Sequence, residues 1–288
     1  MFVSGFTFVR NAVKYDYPVI ESIRSLLPLV DELVVCLGNS DDSTGELINT
    51  IADPKIKIVH SVWDDQLREG GRVLAVETDK AYQAVSPTAD WCIYLQADEV
   101  LHEADYPSIR SAMQQYLGDK RTEGLLFDYV HFYGSYTYFG NSRRWYRREI
   151  RIVRHDPGVH SFRDAQGFRL NNRMLNVRRI PARVFHYGWV KNPNHQREKQ
   201  QNFHKMWHSD EKVKTMVKDL PFDYSQIDAL EIYTGTHPAV MKDRIREMDW
   251  EFQFDTGKRK MKLKDSLLFY IEKYTGKRLF EYRNYRLL

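Results

Sequence analysis

A chain of 288 residues with 42% hydrophobic and 14% aromatic side chains can bury a substantial core as one large domain or two small ones, which excludes a disordered polymer. No apolar run approaches the ~18 residues of a membrane-spanning helix, and MFVSGFTFVRN has neither the basic start nor the small-residue cleavage site of a secretory signal, so a cytoplasmic location is expected. The net charge of +4 hides a division, with 11 Lys and Arg against 21 Asp and Glu in residues 1–142 and 32 against 18 in residues 143–288, as if an acidic site faced a basic half that meets phosphates, an anionic acceptor or a membrane surface.

In chain order, FVSGFTFV (2–9) reads as a strand, YPVIESIRSLLPLV (17–30) has helical spacing, and ELVVCL (32–37) is a second buried strand. GNSDDST (38–44) is turn chemistry leading into a helix that Pro54 ends, before a third strand, IKIVHSVW (56–63). GGRVLAVETDKAYQAV (70–85) is the third helix and DWCIYL (90–95) the fourth strand. Alternating strands and helices predict a mostly parallel sheet with helices on both faces, its ligands at the carboxyl ends of the strands. Cys36 and Cys92 sit inside apolar runs and read as buried thiols.

The second half is different. LLFDYVHFYGSYTYFG (125–140) and ARVFHYGWV (182–190) are aromatic and strand-like, and RRWYRREIRIVR (143–154) is strongly basic. From Pro193 the chain turns polar, basic and helical. The expected division is therefore a catalytic domain over 1–192, with halves 1–105 and 106–192, and a C-terminal helical extension over 193–288.

The fourth strand raises the chemical question, because WCIYLQADE delivers adjacent acids, Asp98 and Glu99, to the edge of a core, where ionised groups need a cation. Neither GxGxxG nor GxxxxGK[ST] is present, which argues against dinucleotide oxidoreductases and P-loop ATPases. FTFVRNA, then VDELVVCLGNSDDST, then GGRVLAVETDKAYQAVSPTADWCIYLQADEVL, in that order and spacing, resemble the nucleotide-binding half of family 2 glycosyltransferases with the Rossmann-like GT-A fold. The likeness covers roughly residues 2–105, and HYGWVKNP adds to it. It is greatest to the bacterial branch that acts on lipopolysaccharide cores and other surface glycans.

The resemblance implies a nucleotide-diphosphate sugar donor, a glycan or lipid-linked acceptor, and Mn²⁺ or Mg²⁺ bridging the donor's phosphates, a task that suits carboxylate oxygens. Asp98 falls on the family's metal-binding acid and Glu99 on the acid after it, with Gln96 where the first Asp of the D-x-D motif is usual. Arg10 and Asn11 match the first nucleotide loop, Asp42 the end of the second, and Arg72 a basic residue near the nucleotide. His186 in HYGW is placed to reach the metal or diphosphate. GVHSFRDAQGF lies where the family carries its base; Asp164 is the nearest carboxylate and His160 the second choice for taking the acceptor's proton in an inverting transfer.

Other classes remain open at this point, namely a nucleotidyltransferase of similar topology, though FTFVRNAVKYD lacks a glycine-rich loop, and a catalytically silent carbohydrate binder. Arginines interleaved with aromatics in 143–154 invite a nucleic-acid reading, but in EIRIVR the alternation suits a strand that leaves Arg151 and Arg154 to meet a diphosphate, and no nucleic acid is expected. The last amphipathic stretch, with Leu263, Leu267, Leu268, Ile271 and Tyr274 on one side, fits a helix docked on the domain, the preferred reading, or one in peripheral contact with the inner face of the membrane.

Overall fold

The computed structural model describes all residues, Met1–Leu288. The first half follows the predicted order: β1 (Val3–Val9), α1 (Val19–Leu26), β2 (Glu32–Gly38), α2 (Thr44–Asn49), β3 (Ile56–Ser61), α3 (Arg72–Gln83) and β4 (Trp91–Tyr94). β3, β2, β1 and β4 lie side by side and all parallel. Alternation within each strand feeds two cores. Leu33, Val35 and Leu37 of β2 enter the cluster shared with α1, while Val34 and Cys36 enter the one shared with α3. A parallel strand covered on both faces favours consecutive apolar residues, as LVVCL (33–37) provides. Both cysteines are free and buried.

Beyond β4 come β5 (Glu99–Leu101), α4 (Tyr106–Gln115), β6 (Gly124–Tyr133), β7 (Ser135–Gly140), β8 (Arg148–Arg154) and a small antiparallel sheet of β9 (Val159–Phe162), β10 (Gly167–Leu170) and β11 (Arg173–Met174). The long β12 (Asn176–Trp189) follows. The large sheet has 11 strands. Helices flank it, as the expected α/β class requires. Beyond β4 the sheet is mixed: β8 pairs antiparallel with both β4 and β6, while β12 runs parallel to β6.

The last third holds α5 (Pro193–Lys205), α6 (Asp210–Met216), β13 (Leu230–Ile232), α7 (Lys242–Arg246), α8 (Leu263–Thr275) and β14 (Arg286–Leu287). It does not stand apart from what precedes it. β13 pairs with β7 and β14 with β12, so both close edges of the same sheet. No helix is long and apolar enough to cross a membrane.

Candidate active site

The parallel strands end at a cleft of about 650 Å³, within the range of small-molecule sites. Two loops form one rim of it. After β1 the chain turns at Asn11, whose φ of 55° is one that Asn tolerates better than most residues. The Asn11 Oδ1 accepts from Asp41 N at 2.9 Å, and Asn11 N donates to Ser40 Oγ at 3.0 Å. Asp42 accepts from Lys14 N at 2.8 Å and from Thr44 N at 3.0 Å. GNSDDST is thus the brace of the loop after β1. Asp42 performs that bracing and does not line the cleft; Asp41 does. Arg10 lines it too, paired with Asp65 at 2.6 Å and lying over the Trp63 ring.

The acid pair divides its labour. Gln96 N donates to Glu99 Oε2 at 3.1 Å and Glu99 N to Gln96 O at 3.0 Å, a tight turn with Asp98 at its tip. Glu99 points into the protein, where Arg151 holds both its oxygens at 2.8 and 2.7 Å and the Tyr129 hydroxyl donates to Oε1 at 2.8 Å. The pair is sealed, with side chains 1% and 0% exposed, and the guanidinium lies between the Tyr94 and Tyr129 rings. This corrects two expectations. Arg151 is not free for a diphosphate and Glu99 is not free for a metal, because a buried charge must be paired and these two pair with each other. Arg154 is likewise spent, lying over Trp91 and donating to Thr122 O at 2.7 Å.

Asp98 faces the cleft, and its cation is Lys199 of α5, whose Nζ lies 3.0 Å from Asp98 Oδ2 and 2.9 Å from Gly188 O. His186 Nε2 lies 3.8 Å from the same oxygen. Burial opposes the Asp98 charge, yet the Lys199 ammonium outweighs it and holds the carboxyl well below the usual range. β12 brings His186 opposite Glu99 on one side and His131 on the other. A Cβ on Gly188 would stand 2.5 Å from Asp98 Oδ2 and 2.8 Å from the His186 ring, so the glycine of HYGW keeps this corner open.

Hydrogen-bond logic fixes the histidine pair. Burial lowers both imidazole pKa values, so the rings are neutral. His131 Nε2 lies 2.8 Å from Tyr146 O, which can only accept, so that nitrogen carries the proton and His131 Nδ1 is an acceptor. His186 Nδ1, 3.3 Å away, therefore donates to it. The His186 Nε2 lone pair is left toward Asp98, whose near oxygen is held by Lys199 Nζ.

No group of three or more His, Cys, Asp or Glu side chains is arranged to hold a metal. Asp98 and His186 fit a different arrangement, in which Mg²⁺ or Mn²⁺ takes one or two protein ligands and receives the rest from water and substrate phosphates.

Asp164 also lines the cleft, in the turn between β9 and β10, and burial raises its carboxyl above the ordinary value. His160 and Arg72 lie elsewhere, in a second hollow with Asp79 and Arg163. His160 contacts Gly158 O at 3.2 Å. The structure thus brings together Arg10, Asn11, Gln96, Asp98, Asp164 and His186, with Arg151 behind them, and leaves out Asp42, Arg72, Glu99 and His160.

Several residues in the cleft or buried beside it were not expected from the sequence. Lys199 is one of many charges in a polar helix. Lys191, which directly follows the apolar run VFHYGWV, does not line the cleft; it is fully buried, donates to Tyr15 O at 2.6 Å and lies over Tyr17. A lysine at the end of a buried strand was the available clue. Arg144 and Lys205 also line the cleft, and neither makes an ion pair.

No family model matches the chain, and no curated protein matches it. Among solved structures it is similar to residues 1–349 of S. aureus TarS, at 14% identity and a TM-score of 0.33, over 46% of this chain and 36% of that one. It is similar to the glucosyl-3-phosphoglycerate synthase of Mycobacterium tuberculosis, solved with Mn²⁺, UDP and phosphoglyceric acid, at 21% and 0.30, over 46% and 43%. A third likeness is to a 4-diphosphocytidyl-2C-methyl-D-erythritol synthase from Anaerococcus prevotii, at 11% and 0.34, over 53% and 71%. The chain therefore spans less than half of the first two proteins, and likenesses this distant leave the activity to be argued from the cleft itself.

Proposed function

We propose that this protein is a GT-A glycosyltransferase of the family 2 type, moving a sugar from a nucleotide diphosphate to an acceptor hydroxyl, with a bacterial surface glycan or its lipid-linked precursor as the acceptor class. The observation that carries the reading is the convergence of three kinds of group on one cleft at the carboxyl ends of parallel strands. These are the braced loop of Arg10 and Asn11, the Asp98 and His186 pair, and a desolvated carboxylate, Asp164.

Asp98 and His186 are the residues that would hold Mn²⁺ or Mg²⁺, which when bound neutralises charge on the departing diphosphate. Lys199 supplies positive charge at the same corner, and Arg144 and Lys205 are free to meet phosphate oxygens. Asp164 takes the proton of the acceptor hydroxyl as its oxygen bonds to the anomeric carbon and the bond from that carbon to the diphosphate breaks, an inverting displacement. Burial suits Asp164 to the task, since a base with a raised pKa accepts a proton more readily.

The test is thermal unfolding with a panel of nucleoside diphosphates, each with and without Mn²⁺. A binder at a hundredfold excess over Kd adds about 2.7 kcal/mol of apparent stability. The reading requires at least one nucleotide to stabilise more with Mn²⁺ than the sum of either alone, and Asp98→Asn to remove the excess. A panel with no such pair overturns it.

A further inference from the structure

The last helix is apolar on the outside. α8 turns Phe269 inward and anchors its inner side through Glu272, which pairs with Arg143 and Arg147, each at 3.1 Å. Its outer side shows Leu263 at 92% exposure, Leu267 at 63%, Tyr270 at 40% and Tyr274 at 80%. Their spacing of four, three and four residues puts them in one stripe. The loop after the helix adds Phe280 at 88% and Tyr282 at 59%. Large apolar side chains massed in water mark an interaction surface. The sequence expected Leu268 and Ile271 in this stripe; both are partly covered, and Tyr270 takes their place.

Charge says what the stripe meets. Lys264 and Lys273 lie roughly 100° and 80° to either side of it, at 3.6 residues per turn, and Lys262 and Lys277 stand at its two ends. All four are exposed and none is paired with a carboxylate. Residues 256–288 carry ten Lys and Arg against three Asp and Glu. Of the three acids, Glu272 and Glu281 are spent on Arg147 and Asp265 points to the opposite side. An apolar stripe bracketed by unpaired lysines matches a bilayer, with the stripe at the acyl boundary and the ammonium groups at the level of anionic headgroups. We propose that α8 and the following loop dock this protein on an anionic phospholipid surface, lying in the interface without spanning it.

Co-sedimentation of the full chain with vesicles of phosphatidylcholine, alone or mixed with phosphatidylglycerol, tests this without reference to sugar transfer. The mixed vesicles should bind the protein at least ~10-fold more strongly, and added salt should weaken the difference. Leu267→Glu with Tyr274→Glu should abolish binding. Lys264→Glu with Lys273→Glu should remove the preference for anionic vesicles, which keeps the proposal testable if the first pair unfolds. Equal binding to both vesicle types, binding that survives both pairs, or no vesicle binding together with a dimer that Leu267→Glu dissolves would each overturn it, the last by assigning the stripe to a second copy.

Discussion

Glu99→Gln separates a structural acid from a metal ligand. The substitution keeps the shape but removes the charge that Arg151 faces, and Arg151 has 1% exposure and no other carboxylate in contact. Four hydrogen bonds converge on the Glu99 carboxylate, two from Arg151, one from Tyr129 and one from Gln96 N. Removing one partner of such a pair costs about 3–5 kcal/mol, because the other is left charged and unpaired. Against a total stability of roughly 5–15 kcal/mol that is a large fraction, equivalent to a fall in Tm of about 5–8 °C for a chain of this size. Replacing both residues by Met should recover most of the loss, since apolar side chains of similar volume replace buried pairs at little cost. Thermal and urea unfolding of the metal-free protein provide the measurement, with Mn²⁺-dependent nucleotide binding of the folded fraction read by calorimetry. A variant with unchanged Tm and lost Mn²⁺-dependent binding would refute the structural role and return Glu99 to the metal.

Asp164→Asn should lower turnover by ~10²-fold or more with donor affinity retained, and the acid limb of the wild-type rate profile should be displaced upward from that of an ordinary aspartate, because the base works only when ionised and burial raises its pKa; full turnover in the variant sinks the assignment. Lys199→Met should tighten Mn²⁺ binding to the nucleotide-free protein, since the ammonium holds the Asp98 oxygen that the ion needs, while His186→Ala should weaken it; titration calorimetry decides, and unchanged affinity in both argues against this corner. Glu149, buried behind Arg151, is pushed up to about 8 by its burial, against the opposing charge of Arg151. The folded chain therefore keeps this proton where the unfolded chain has lost it, so the contribution of Glu149 to stability is full below its ordinary pKa, falls as pH rises to about 8 and is level beyond. Glu149→Gln should flatten that part of the stability profile, and an identical pH dependence in urea unfolding would contradict the assignment.

What the sequence determined by itself was whatever depends on burial. Near-continuous apolar runs specified β1 to β4 and their helices, and WCIYLQADE placed Asp98 at a strand end, because a strand covered on both faces is filled mostly by apolar side chains. Alternation in EIRIVR also placed a strand correctly, but not the partner of its arginine. Which charges face one another was decided only in three dimensions. Asp98 and Glu99 are adjacent, yet a turn of four residues sends one to the cleft and the other to Arg151, 52 positions away. Lys199 reaches Asp98 across 101 positions, and His131 reaches His186 across 55. Side-chain periodicity records which face of an element is buried. The pairing of buried charges follows from the need of each to find an opposite charge within a few ångströms, and that distance is set by strand order and register, which no local pattern encodes.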